Sequence, residues 1–129
     1  MLLDVALNKN WIATELQDVA GLRLQFEPTV DSTNTWVLDE GRDIAAGTVL
    51  FAEKQEAGRG RRGRRWHSPQ SQNVYAPLAW SWAAPLDQLG GLSSAVGVSL
   101  VEMLSGLGAR GLGVKWPNDI QVDGQKICG

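Results

Sequence analysis

The sequence predicts an α+β domain, and three observations carry that prediction. Leu22-Arg23-Leu24-Gln25-Phe26-Glu27 alternates apolar and polar residues without a fault, the pattern of a half-buried strand. Leu89, Leu92, Val96, Leu100, Met103 and Leu107 step by 3, 4, 4, 3 and 4, which places them on one helical face. Near the end, Asp123-Gly124 joins Ile120-Gln121-Val122 to Gln125–Cys128, a two-residue hairpin signal of type I′.

The other elements follow in chain order. Trp11–Val19 reads as a short helix, with Asn10 placed to cap it and Gly21 to end it. Pro28 stops the first strand. Asp31-Ser32-Thr33-Asn34-Thr35 then opens a helix expected to run to about Glu40; one cap uses one such side chain, so the surplus hydroxyls and amide can face a polar ligand. Thr48–Gln55 and Val74–Trp82 read as strands, Pro77 giving the second an edge or a bulge. Ser93, Ser94, Gly97 and Ser99 thin the flank of the long helix, Gly106 and Gly108 end it, and its apolar stripe is expected to be structural. Leu112–Trp116 is the last strand before the hairpin. Most of the six tryptophans are expected in the core.

Composition narrows the function classes. A chain of 129 residues, 43% apolar and 20% charged, fits one soluble domain with a modest core. Its lone Cys128 excludes an internal disulfide and fits a reducing cytosol. No long apolar run reads as a membrane span, and Met1–Asn10 lacks the basic start of a signal peptide. The net charge of −2 argues against a general nucleic-acid binder. Five of the 12 basic residues fall in Gly58–Trp66, leaving the rest of the chain at −7. A focused positive site on an acidic body suits a small anion better than a long phosphate backbone.

That stretch, Gly-Arg-Gly-Arg-Arg-Gly-Arg-Arg-Trp, suits neither helix nor strand, because glycine costs a helix roughly 1 kcal/mol and adjacent arginines repel. It suits a loop that closes on an anion, with converging backbone N–H groups and guanidinium forks. A solvated basic turn and a nucleic-acid patch are the competing readings. A dinucleotide loop fails: Gly58, Gly60 and Gly63 match the spacing, but Pro69 biases Ser68 away from the helix that the fingerprint must open. Downstream, Lys115, Asp119 and Lys126 are charges set among apolar strand residues, costly unless they pair or meet a ligand. A surface hairpin with solvated charges is the alternative.

Taken in order, Asp31-Ser-Thr-Asn, Gln55-Glu-Ala-Gly-Arg-Gly-Arg-Arg-Gly-Arg-Arg-Trp66, Lys115-Trp-Pro-Asn-Asp119 and Lys126-Ile-Cys-Gly129 resemble the motifs of biotin–protein ligases, the family that includes the bacterial biotin operon repressor. The resemblance runs from about Phe26 to the last residue. It implies a mixed β-sheet flanked by helices, related to class II aminoacyl-tRNA synthetases and lipoate ligases. It also implies a two-step reaction: biotin's carboxylate attacks the α-phosphate of magnesium-bound ATP to give biotinyl-5′-AMP, and a lysine of the biotin carboxyl carrier protein of acetyl-CoA carboxylase then takes the biotinyl group. Carried across, Ser32, Thr33, Asn34 and Gln55 would bind biotin, Ser32 and Gln55 at its ureido head. Arg59, Gly60 and Arg61 would close over it, with Arg61 also counted as catalytic. Gly58, Arg64, Trp66 and Asn118 would lie on the adenylate side. Lys126 would contact the biotin carboxylate and α-phosphate, with Asp119 near the reacting centre. No metal is expected beyond the Mg2+ that arrives with ATP. The expected protein is cytoplasmic, binds no DNA or membrane, and is free to form a homodimer. Against the family pattern, residues 1–129 would be the N-terminal part of a catalytic domain, without a winged helix-turn-helix or a C-terminal β-domain. The alternative is a fragment that binds biotin or the adenylate without turnover; a lipoate ligase is the nearest enzyme rival.

Overall fold

The computed structural model describes residues 6–39 and 43–129, with the side chains of Arg61 and Leu86 outside that description, and it divides into two units between Ser81 and Trp82.

The first unit opens with helix α1, Lys9–Leu16. Its cap is Asn8, not Asn10: Asn8 Oδ1 accepts from the Trp11 backbone N–H at 3.0 Å. A cap must reach back from three residues before its donor, and Asn10 instead lies within the helix, its carbonyl accepting from Thr14 Oγ1. Strand β1 is Arg23–Glu27, close to the alternation that predicts it. Helix α2, Thr33–Leu38, follows Ser32 as cap; Glu40, where the sequence suggests its end, lies outside the described residues. Strand β2, Thr48–Ala52, runs parallel to β1 in the register Arg23↔Thr48 to Glu27↔Ala52, so α2 lies on a parallel crossover. Thr48, Leu50 and Ala52 are buried in strict alternation, while Phe26 and Phe51 stack at 5.4 Å between ring centroids.

The expected strand Val74–Trp82 contracts to β3, Leu78–Ala79, antiparallel to β2. Pro77 offers no N–H, yet its carbonyl still accepts from Leu50 N, and Tyr75 forms an isolated bridge to Ala52. The segment thus follows β2 through scattered bonds and not a continuous ladder. Tyr75 is buried, its hydroxyl donating to the Pro69 carbonyl at 3.0 Å. The tryptophan expectation fails: Trp11, Trp80, Trp82 and Trp116 are all exposed, and Trp36 alone is in the core.

The second unit pairs helix α3, Leu92–Gly106, with an antiparallel meander of β4 (Leu112–Lys115), β5 (Asp119–Val122) and β6 (Gln125–Cys128). The hairpin signal holds: Asp123 (φ 49°) and Gly124 (φ 80°) both take the left-handed conformation that type I′ requires. The helix meets the sheet on its small side. Ser94 Oγ donates to the Pro117 carbonyl at 3.0 Å, and a Cβ on buried Gly97 would stand 3.4 Å from Val114 Cγ1. The stripe expected to be structural is largely uncovered, with Leu92, Val96, Met103 and Leu107 all exposed. Asp87–Gly106 is long and apolar enough to cross a membrane by length and composition only; the α-helix proper begins at Leu92, and four serines interrupt the stretch at Ser93, Ser94, Ser99 and Ser105.

Candidate functional site

In the first unit, the site is assembled by a short parallel approach beyond the ends of β1 and β2. Val30 bridges Gln55; Val30 N donates to the Lys54 carbonyl, Glu56 N to that of Val30, and Ala57 N to that of Asp31 at 2.7 Å. Five and six residues past β1, the chain therefore lays Ser32 and Thr33 beside Gln55. Thr33 gives Gln55 Oε1 both its donors, the backbone N–H at 2.8 Å and Oγ1 at 3.0 Å. Gln55 Nε2 in turn donates to Ser68 Oγ at 2.8 Å, and Ser68 Oγ donates to the Trp66 carbonyl at 3.4 Å. Ser32 is buried, and its side chain makes no cap bond with α2. Asn34 is exposed.

The arginine stretch is a closed hairpin. Trp66 N donates to Gly58 O at 2.8 Å, Gly60 N donates to Arg64 O at 2.7 Å, and Arg59 bridges Arg65. The chain reverses through a 3-10 turn, Arg61–Gly63, where Arg62 (φ 59°) and Gly63 (φ 74°) are successively left-handed. Arg59, Arg62, Arg64 and Arg65 are exposed, so unneutralised charge rims a backbone held by its own hydrogen bonds. Gly58 is fixed by proximity, not by conformation: a Cβ there would come within 2.8 Å of both Ser68 Oγ and Trp66 O, and 3.3 Å of Gln55 Nε2. The base of the hairpin and the Gln55 network are thus one structure.

In the second unit, Lys126 Nζ donates to Asp119 Oδ1 at 2.8 Å. Register explains the pairing. Lys115 opposes Asp119, Gln121 opposes Lys126, and a bulge between Ile120 and Gln121 accommodates the offset. Side chains alternate along a strand, so Lys115, Asp119, Gln121 and Lys126 share one sheet face. Gly129 crowds this pair, since a Cβ there would lie 2.5 Å from Lys126 Nζ and 2.8 Å from Asp119 Oδ1. In the β4–β5 turn, Asn118 Oδ1 is buried and has no hydrogen-bond partner among the described residues.

The motif residues therefore form two clusters: Ser32, Thr33, Gln55, Gly58 and the hairpin in one unit, Asn118, Asp119 and Lys126 in the other. Ser68 was not singled out from the sequence, although its place two residues after Trp66 made it available. Two open grooves in the first unit overlap these residues at Ser32 alone. One, of about 390 Å³, includes Ser32 but is lined by Glu27, Asp31 and Asp39, a poor setting for an anion; the other, near Arg23 and Asp43, contains none of them. The hydrogen-bond network marks the site better than these concavities. Among the described residues no group of three His, Cys, Asp or Glu side chains is arranged to hold a metal.

The chain is similar to known proteins. The profile of the biotin/lipoate A/B protein ligase family matches residues 26–129. The bifunctional ligase/repressor BirA of Escherichia coli K12 is 41% identical over 102 residues, covering 79% of this chain and 32% of BirA. A biotin–[acetyl-CoA-carboxylase] ligase of Paracoccus denitrificans is 35% identical over 107 residues, 77% of this chain and 42% of that protein. The solved biotin protein ligase of Aquifex aeolicus, in complex with biotin and ATP, matches with a TM-score of 0.63 and 32% identity over 76% of this chain and 40% of that one. The chain spans well under half the length of these relatives.

Proposed function

The chain belongs to the biotin/lipoate A/B protein ligase family, and from that premise we propose that it carries the biotin-recognising and biotin-activating residues of a biotin–protein ligase. The Gln55 network carries the reading. Biotin's ureido ring is neutral and polar, so it must be held by directional hydrogen bonds. A side-chain amide fixed by Thr33 and Ser68, beside the buried hydroxyl of Ser32, offers them. A lipoyl dithiolane has no such donors or acceptors, which favours biotin over lipoate as substrate. The relatives named biotin ligases and the Aquifex structure holding biotin and ATP support the same choice.

Activation brings two anions together, the biotin carboxylate and the α-phosphate of ATP. Lys126 supplies the charge that offsets their repulsion, and Asp119 holds its ammonium in a set direction. Asn118 Oδ1 accepts from a donor on the nucleotide side. Mg2+ bound with the ATP would lower the charge on its phosphates. The arginine hairpin, Arg59–Arg65, covers the adenylate and keeps water from hydrolysing it before the biotinyl group passes to a carrier-protein lysine in the cytoplasm.

The test is calorimetric titration of biotin and lipoate, each with and without ATP, followed by incorporation of labelled biotin into a carboxyl carrier domain. Biotin-selective binding with incorporation supports the proposal. Selective binding without incorporation leaves a binding module, and preference for lipoate overturns the substrate assignment.

A further inference from the structure

Resting on the biotin reading, we infer that Ser68 is a positioning residue, which together with Thr33 locks the Gln55 amide as a hydrogen-bond donor, so that the site selects a carbonyl oxygen in the ligand's ring. A primary amide has two N–H donors and two acceptor lone pairs on its oxygen. Gln55 Oε1 already accepts from Thr33 N and Thr33 Oγ1, at 2.8 and 3.0 Å. Among the described residues Nε2 donates once, to Ser68 Oγ at 2.8 Å. The oxygen is therefore saturated, and one N–H remains to be given.

The amide cannot turn over. Reversal would set its NH2 group against the Thr33 backbone N–H, placing donor against donor at a part-buried position. Thr33 thus decides which end of the amide is which, and Ser68 fixes the angle of the NH2 group about that anchor. The amide nitrogen has only hydrogens to give, so Ser68 Oγ accepts from it, and the hydroxyl proton is left to turn toward the Trp66 carbonyl, 3.4 Å away. Ser68 is buried, so water does not readily replace its bond. Gly58 closes the last side of the space, which the Ser68 hydroxyl, the Trp66 carbonyl and the Gln55 amide already fill. A ureido carbonyl oxygen satisfies a fixed donor; a group that is itself a donor at that point does not.

The experiment compares biotin with 2-iminobiotin, which at neutral pH carries a protonated guanidinium and so presents a donor where biotin presents its carbonyl. Both are titrated, the second by competition with labelled biotin, against the intact protein and its Ser68→Ala and Ser68→Thr variants. Ser68→Ala is expected to weaken biotin by about fivefold to tenfold, the size of one neutral hydrogen bond. Iminobiotin affinity should be unchanged, the preference between the two ligands narrowing accordingly. The KM for ATP and the rate at saturating biotin should stay put, and Ser68→Thr, which keeps the hydroxyl, should restore the preference. Equal weakening of both ligands would show a merely structural role and overturn the inference, as would unchanged biotin affinity. If the unsubstituted protein does not bind biotin, the biotin reading falls and this inference with it, an outcome distinct from either of those.

Discussion

Around Gln55 the side-chain polar groups in the network are neutral and part-buried, whereas the Asp119–Lys126 pair of the second unit is charged and about one third exposed, at 31% and 35%. The first arrangement resists change, because each group removed leaves a buried partner unsatisfied. The second contributes little to the fold, since exposed ion pairs are typically worth about 0–1 kcal/mol. Under the proposed function, recognition of a neutral ring would use the fixed directions of the preassembled network, and stabilising charge that appears during reaction would use the cation of the more exposed pair. The two clusters should therefore respond differently to the same kind of truncation.

The sharpest contrast should come from Lys126→Ala. If its charge acts mainly as the two anions converge, as proposed, the rate of adenylate formation should fall roughly 100- to 1,000-fold, the scale of losing one electrostatic stabiliser of about 2.7–4 kcal/mol. Biotin affinity should largely survive. Pyrophosphate release at saturating substrates, alongside calorimetry, reads both. Gln125, which opposes Val122 on the other sheet face, serves as the control. Loss of biotin binding with the saturated rate intact would make Lys126 an anchor and erase the distinction between the clusters.

Gly58→Ala probes the other side. The new methyl meets Ser68 Oγ and Trp66 O at 2.8 Å, and relieving that overlap must displace the Gln55 network, at a cost of about 1–3 kcal/mol. The expected result is lower thermal stability together with weakened biotin binding, measured by melting and calorimetry. An unchanged protein on both counts would mean that the base of the hairpin yields easily.

Smaller still is Thr33→Val, which removes the Oγ1 donor to Gln55 while the backbone N–H stays. A loss of about 0.5–1.5 kcal/mol in biotin affinity is expected, with no change in rate at saturation. A large rate effect would tie the neutral network directly to the chemistry. The mildest test leaves the sequence intact: trypsin cutting within Arg59–Arg65 should slow under saturating biotin, and equal cutting with and without ligand would remove any role for the hairpin as a cover.

How much of this was legible from the residues alone depended on how local each signal was. Asp123-Gly124 specified its own backbone angles, and the hairpin formed as read. Leu22–Glu27 needed only one buried face, and β1 matched within a residue. The helix Leu92–Gly106 was found, but not its orientation. Periodicity reports where apolar side chains lie, while the sheet was met by Ser94 and Gly97, whose small size permits the closest approach. Val74–Trp82 carried strand composition, yet the missing Pro77 N–H broke the ladder to two residues. Motif spacing led to Gln55 and Gly58 but not to Ser68, because its role is a hydrogen bond across 13 residues that no local pattern announces.

The hairpin's stem and tip are anchored differently. Trp66 belongs to both structures, its N–H bonded to Gly58 and its carbonyl to Ser68, so the stem stays put while the head-group contacts are intact. The tip, turning through Arg62 and Gly63, is tied to neither Gln55 nor Thr33 by any of these bonds. On the proposed reading, substitutions at the stem would alter which ring is chosen, and substitutions at the tip would alter how long an activated product stays before it is handed on. Selectivity and residence time become separately tunable within nine consecutive residues.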